Sequence, residues 1–286
     1  MKVLVGVDNS QESHLALAYV CHLLEHFDAE VHALYVQPDG IAIAPEVFYA
    51  PFVGQEGLEK WIDTQRLQVQ TGTQQECAYC LAGKVPCEPE VSLGDPAEGL
   101  LEAASEGDYD LIVLGSHGYS ALKGFLLGSV HAKILHHATQ PVLLVRDFRE
   151  IHRVLVAYRG SGCDQKALAF IAPLFARKKP EITVLHVEES GRPDAEDFGK
   201  ACLLEGDQTL KQFEHAPLTV TRKGSFVDEV VKEVIGSRCD LIVLGAYGHQ
   251  QSKFRQMISD EALNLVRSTT RPVLVFREKG QEPGNR

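Results

Sequence analysis

The stretch GSHGYSALKGFLLGSV, Gly115 to Val130, holds the residues best suited to chemistry in this chain. Two residues separate Gly115 from Gly118, and nine more separate Gly118 from Gly128 and Ser129. The run follows the apolar DYDLIVL and leads into VHAKILHHA, so it joins a strand to a helix. Glycine at such a junction lets backbone approach a ligand closely and adopt positive φ. The first amides of a helix lack internal partners and carry partial positive charge, so a phosphate is held there without many cationic side chains. Ser129, as a cap or first-turn residue, adds a hydroxyl donor, and Val130 belongs to the same turn. The predicted chemistry is anion binding. The spacing departs from both standard phosphate fingerprints, G-x-x-x-x-G-K-[ST] and G-x-G-x-x-G, and glycines also serve purely steric ends in turns.

The elements around this loop occur twice. KVLVGVDNS returns as RVLVAYRGS (154 − 3 = 151 for its first valine), and Val36 of ALYVQP returns as Val187 of VLHVEE (187 − 36 = 151). DYDLIVLGSHG returns as RCDLIVLGAYG (245 − 115 = 130), and QPVLLVRD as RPVLVFRE (272 − 141 = 131). Order is kept throughout, the signature of a duplicated domain with Phe148 to His152 as the seam. The expected division is 1–147, 152–278 and a loose polar tail, 279–286. The first copy is longer between Val36 and Gly94 (94 − 36 = 58) than the second between Val187 and Gly224 (224 − 187 = 37). The surplus falls within IAIAPEVFYAPFVGQEGLEKW, whose Pro45, Pro51, Gly54 and Gly57 read as a surface insertion, with a ligand lid as the alternative.

Each copy alternates strand and helix. VLVGV is a continuous apolar run suited to a strand buried on both faces, and Leu17, Val20, Cys21 and Leu24 mark an amphipathic helix. The same alternation runs on through VHALYV, VPCEPEVSLG, PAEGLLEAASEG, DLIVLG, VHAKILHHA and VLLVR. The predicted fold is α/β, two tandem doubly wound, Rossmann-like domains with five-stranded parallel sheets, ligands meeting the carboxyl ends of the strands. The last strands, VLLVR and VLVFR, are candidates to pair across the two domains.

The bulk numbers narrow the function. A net charge of −11 argues against a general nucleic-acid binder or a protein of anionic membranes. The N-terminal apolar run is too short for a signal sequence, and no stretch reaches the roughly 18 apolar residues that cross a bilayer. The seven cysteines are odd in number, which predicts reduced thiols in a cytoplasmic protein. Cys77, Cys80 and Cys87 in CAYCLAGKVPC include a zinc or redox spacing, but no second ligand pair lies nearby, and half-buried free thiols are the expected reading. His14, His22, His26, His131, His136 and His137 read as surface residues, for no H-E-x-x-H frame is present; His117, inside the glycine loop, is placed to touch phosphate. No nucleophile elbow, Walker lysine or paired-carboxylate frame is visible, so no catalytic residue is named.

Taken together these residues resemble the universal stress proteins in their tandem two-domain form, over essentially the whole chain. The nucleotide-binding members carry Gly-x-x-Gly, nine residues and Gly-[Ser/Thr], with an aspartate ending the first strand. Gly115, Gly118, Gly128 and Ser129 match that pattern, Asp8 in VGVDNS matches the aspartate, and Val36 in LYVQP matches the apolar residue lining the adenine pocket. The resemblance implies the adenine-nucleotide-hydrolase-like version of the fold and ATP as ligand, with Mg²⁺ as its accompanying cation. Asp8 and Val36 would hold the adenine end, Gly115 and Gly118 the ribose-side backbone, and Gly128, Ser129 and Val130 the phosphates. It also implies a dimer-like union of the two domains, with homodimerisation and an unidentified protein partner left open, and Ser129 as a phosphoryl acceptor. Occupancy would serve as a regulatory signal in stress, with slow or no hydrolysis. The rival readings are a scaffold in which the loop merely turns the chain, and a slow ATPase. In the second copy Arg159 stands for Asp8, and either Ile258 or Ser259 stands for Gly128, so no nucleotide is expected there.

Overall fold

The computed structural model describes residues 1–8, 10–37, 64, 67–68, 70–78, 85–115, 127–189, 195–247 and 258–277. The insertion at 41–61, Gly118, His117, Cys80 and the tail lie outside these residues. The first half runs β1 (Lys2–Val7), α1 (Gln11–Leu24), β2 (Glu30–Gln37), helical residues 70–78, β3 (Cys87–Leu93), α2 (Pro96–Glu106), β4 (Leu111–Gly115), α3 (Ser129–His137) and β5 (Val142–Val145). The second half repeats the series as β6 (Arg153–Ala157), α4 (Gly162–Leu174), β7 (Glu181–Glu188), α5 (Ala195–Lys211), β8 (Leu218–Lys223), α6 (Phe226–Ser237), β9 (Leu241–Gly245), α7 (Asp260–Ser268) and β10 (Val273–Phe276).

The alternation predicted from the sequence is thus present in both halves. Within each half the strands are parallel, in the orders β3-β2-β1-β4-β5 and β8-β7-β6-β9-β10. The pairing expected between the last strands is also present. β5 and β10 run antiparallel, Leu143 opposite Leu274, and fuse the halves into one ten-stranded sheet.

Side chains alternate across this sheet because successive strand residues point to opposite faces. Val3, Val5 and Val7 of β1 join one core, with Leu17 and Val20 of α1 and with Leu168 and Ile171 of α4. Leu4 joins the other, with Leu100 of α2, Ile134 of α3, Val230 of α6 and Leu265 of α7. Both cores cross the domain boundary. Equivalent aspartates fix the strand starts: Asp110 accepts from the Lys2 amide at 2.9 Å, and Asp240 from the Arg153 amide at 2.9 Å.

The seam uses a histidine. His22 Nε2 accepts the Ile151 amide at 3.1 Å, and Phe148 stands edge-on to His22 and Tyr19. Lys178, from the turn after α4, donates to the His22 carbonyl and lies 3.8 Å from Glu25. Burial, then the Lys178 charge, pushes the His22 imidazole below its ordinary range. Its reading as a surface histidine is therefore corrected: it binds one domain to the other.

The cysteine expectation is also overturned. Cys77 and Cys87 form a disulfide, their Cα atoms 5.7 Å apart. The x₂ spacing to Cys80 points the wrong way. Residue 77 is in a helix and residue 87 opens β3, and folding brings that helix onto the sheet beside the strand. Cys21, Cys163, Cys202 and Cys239 are buried and form no disulfide. Among the described residues no helix is long and apolar enough to cross a membrane.

Two outcomes follow. Denatured without reductant, the chain should titrate at least two thiols fewer than the seven that react after reduction. Closing a loop of this length is worth about 3 kcal/mol. Cys77→Ser should lose that much in urea unfolding against oxidised wild type and nothing against reduced wild type; seven thiols from the start would refute the bond. For His22, a folded-state pKa below the unfolded value gives stability that is present above about pH 6.5 and lost as pH falls below it. His22→Gln should therefore lose less Tm than wild type between pH 7.5 and 5.5, and parallel curves would remove His22 from the seam's acid sensitivity.

Candidate functional site

The carboxyl ends of β1, β2 and β4 and the start of α3 belong to one end of the first domain's sheet. Asp8 follows β1, is exposed, and its Oδ1 accepts the Ser10 amide at 3.1 Å. The cap of α1 is not Asp8 but Ser10, whose hydroxyl accepts the Ser13 amide at 3.2 Å. Asp8 is therefore not spent on capping. Val36, one residue from the end of β2, is buried against the α carbon of Gly99 in α2; a β-carbon at Gly99 would come within 2.9 Å of it.

Gly115 ends β4, and a β-carbon there would lie 2.2 Å from the Glu12 carbonyl oxygen. The glycine is required because α1 starts directly over the strand end. At the turn after β3 Gly94 has φ 137, a region that favours glycine, and its counterpart Gly224 after β8 has φ 148.

Gly128 is the N-cap of α3, with φ −60 and ψ 156, and Ser129 and Val130 are the first two helical residues. Having no side chain, Gly128 makes no capping hydrogen bond, and the first turn of α3 carries no acid. An uncapped, acid-free helix start leaves its partial positive charge to whatever anion approaches. A helix start of this kind is electrostatically open to an anion.

Two groups stand here that the sequence reading missed. His131 is buried, 6% exposed, and its Nε2 lies 2.8 Å from the Gly115 carbonyl oxygen. A carbonyl only accepts, so Nε2 carries the proton and ties α3 to the end of β4. The surface reading of His131 is therefore corrected. Its burial was signalled by sharing a helix face with Ile134 and Leu135, spaced i, i+3, i+4. Glu76 is also buried, 3% exposed; its Oε1 is 3.2 Å from His14 Nε2 and 3.5 Å from Ser13 Oγ. Burial raises its pKa, His14 opposes the rise, and Asp8 adds to it. Asp8 also raises Tyr35, after burial, so these groups share one electrostatic neighbourhood.

The second domain keeps Val187, Gly224 and Gly245 at the places of Val36, Gly94 and Gly115, but differs at the aspartate and at the helix start. α7 begins at Asp260 with Ser259 as N-cap, so Ser259 answers to Gly128 and Asp260 to Ser129 (259 − 128 = 131). The Ser259 hydroxyl accepts the Ala262 amide at 3.2 Å, and Asp260 and Glu261 bring negative charge to the first turn. Arg159 fills the space at the strand ends. It donates to the carbonyls of Gly245 and Tyr247 (3.0 Å) and to Ser259 Oγ (3.2 Å), and lies over the Phe226 ring. Its charge is answered by Asp164, 1% exposed, whose Oδ1 is 3.7 Å away and accepts the Gly245 amide at 2.9 Å. The carbonyl that His131 serves in the first domain is thus served by Arg159 in the second, where Ala262 stands in place of His131 (262 − 131 = 131).

Among the described residues one further group has metal-ligand character. Glu30, His32 and Glu88 offer atoms within 4.8 Å of one another near the amino ends of β2 and β3. His32 Nε2 already contacts Glu30 at 2.6 Å, and this group is remote from the strand ends described above.

Comparison with known proteins covers both halves. The sequence model of the Universal stress protein family matches residues 1–146 and again 150–277. A universal stress protein of Bacillus subtilis, YxiE, is 34% identical over 157 residues, covering 51% of this chain and 98% of its own. One from Mycolicibacterium smegmatis is 25% identical over 299 residues and covers 97% of both chains. The crystal structure of a universal stress protein from Archaeoglobus fulgidus superposes with a TM-score of 0.71 at 21% identity, covering 98% of each chain, a likeness of fold.

Removing Arg159 leaves the Asp164 carboxylate buried without its cation, a loss of about 3 kcal/mol. Arg159→Ala should lower stability by that amount, and Arg159→Ala/Asp164→Ser should recover part of it. A neutral single variant in chemical denaturation would show that the arginine does not hold this end of the domain.

Proposed function

This chain belongs to the universal stress protein family, in a tandem two-domain form, and from that premise we propose that it binds one adenine nucleotide, in the N-terminal domain, residues 1–147. The ligand is ATP, with Mg²⁺ as accompanying cation. Gly128, Ser129 and Val130 meet the phosphates, Gly115 and Gly118 the ribose-side backbone, and Asp8 and Val36 the adenine end. Of these, Gly118 lies outside the described residues.

The observation that carries this reading is the contrast between the two last helices. α3 starts at a glycine with no capping side chain and no acid in its first turn, while α7 starts at a capping serine followed by Asp260 and Glu261. An anion gains at the first and is repelled at the second. The second domain, residues 152–278, has its strand ends occupied by Arg159 and serves a structural or regulatory role.

Occupancy is read here as a regulatory signal in a cytoplasmic stress response, not as fuel. Hydrolysis needs a base positioned on water, and Glu76, a carboxyl of this neighbourhood, is buried with its Oε1 held by His14 and Ser13. The turnover expected is slow or absent.

Calorimetric titration with ATP·Mg should give one nucleotide per chain. Gly128→Val should abolish binding with the circular-dichroism spectrum unchanged, since φ −60 at that position accepts any side chain. Asp8→Ala should weaken binding by about tenfold, the worth of a charged hydrogen bond. No binding by wild type would favour the scaffold reading; two nucleotides per chain would refute the assignment to one domain.

A further inference from the structure

Strands β5 and β10 each end beside an arginine, Arg146 and Arg277, that occupies the same place in its repeat (277 − 146 = 131). Arg277 is buried, 2% exposed. Its Nη1 donates to the carbonyls of His136 (3.2 Å) and Ala138, and its guanidinium lies over the Tyr247 ring, 5.5 Å from the centroid. His136 and Ala138 are the C-terminal end of α3, in the other domain. Arg146 does the reciprocal: its Nη1 donates at 2.9 Å to the carbonyl of Thr269, the C-cap of α7. The two acceptors also correspond (269 − 138 = 131). Each domain therefore closes the last helix of the other.

The last carbonyls of a helix lack internal partners and carry partial negative charge, which is why a guanidinium is stabilising there. For α3 this matters at its opposite end as well. The helix has only nine residues, and its first turn is the phosphate end of the proposed site. His131 pins that turn to Gly115, and Arg277 pins the far end to the second domain. A helix this short moves as one body, so its far-end anchor sets where the near end sits.

We propose that Arg277 is a positioning residue for the nucleotide site of the other domain, so that the second domain completes a site it does not itself contain. The proposal rests on the reading of α3 as the phosphate-binding helix. Arg146 supplies an internal control, because it closes α7, whose first turn is capped by Ser259 and carries two acids.

The test uses the full chain with Arg277→Ala, Arg277→Lys and Arg146→Ala. Calorimetric titration with ATP·Mg should show Arg277→Ala weakened by about tenfold, the equivalent of one charged hydrogen bond, with Arg277→Lys between it and wild type. Arg146→Ala should stay within about twofold of wild type, below the energy of such a bond. Amide exchange without nucleotide gives a second readout. Arg277→Ala should speed exchange in 129–137, and Arg146→Ala in 260–268. Equal effects of Arg277→Ala and Arg146→Ala on ATP affinity, or no effect of Arg277→Ala, would overturn the positioning role. Unchanged exchange in 129–137 would overturn the clasp itself. Failure of wild type to bind ATP, with α3 exchange still raised by Arg277→Ala, would instead bring down the ligand assignment and leave the clasp standing.

Discussion

The antiparallel contact of β5 with β10 is the constraint on which the rest of the chain depends. Every other strand pair in the sheet is parallel and internal to one half. This one places Val142, Leu143 and Leu144 against Val275, Leu274 and Val273, all at most 3% exposed. An edge strand of that composition cannot face water without inviting association. By pairing within the chain it disappears from the surface, and the two cores become continuous across the boundary. The reciprocal arginines and the His22 contacts are local additions around that join.

Because the join is internal, its two sides need not be identical. A dimer of identical chains repeats every residue on both sides of its axis. Here the carbonyls of Gly115 and Gly245, at the ends of equivalent strands, have found different donors. A histidine from the following helix serves the first, and an arginine from the neighbouring strand end serves the second. The choice decides what the strand ends hold. His131 reaches Gly115 from α3 and leaves Asp8 exposed, whereas Arg159 occupies its own end of the sheet and brings Asp164 with it.

Much of this architecture was legible in the sequence because it rests on periodicity and repetition. Continuous apolar runs such as LIVLG gave strands buried on both faces, and the spacing of Leu17, Val20, Cys21 and Leu24 gave α1. The repeated runs, LIVLG in both halves among them, gave the tandem form. For the candidate site the legible part was glycine, since Gly115 has a steric reason that survives in one dimension. What stayed hidden depends on distance across the fold. The partner of Cys77 lies at the start of the next strand rather than three residues on. His131 and His22 read as surface residues because their carbonyl and amide partners come from other elements. The alternatives for Gly128 were settled only by where α7 begins, at Asp260 behind Ser259.

The sheet order has a consequence during synthesis. β5 leaves the ribosome with β4 as its only neighbour, and its antiparallel partner β10 emerges 131 residues later (273 − 142 = 131). At typical elongation speeds that interval is on the order of ten seconds. Through it the nascent first domain carries an apolar strand with one open side, and the C-terminal carbonyls of α3 wait for Arg277. The strand is only four residues long, which limits the template it offers to a neighbouring nascent chain on the same message.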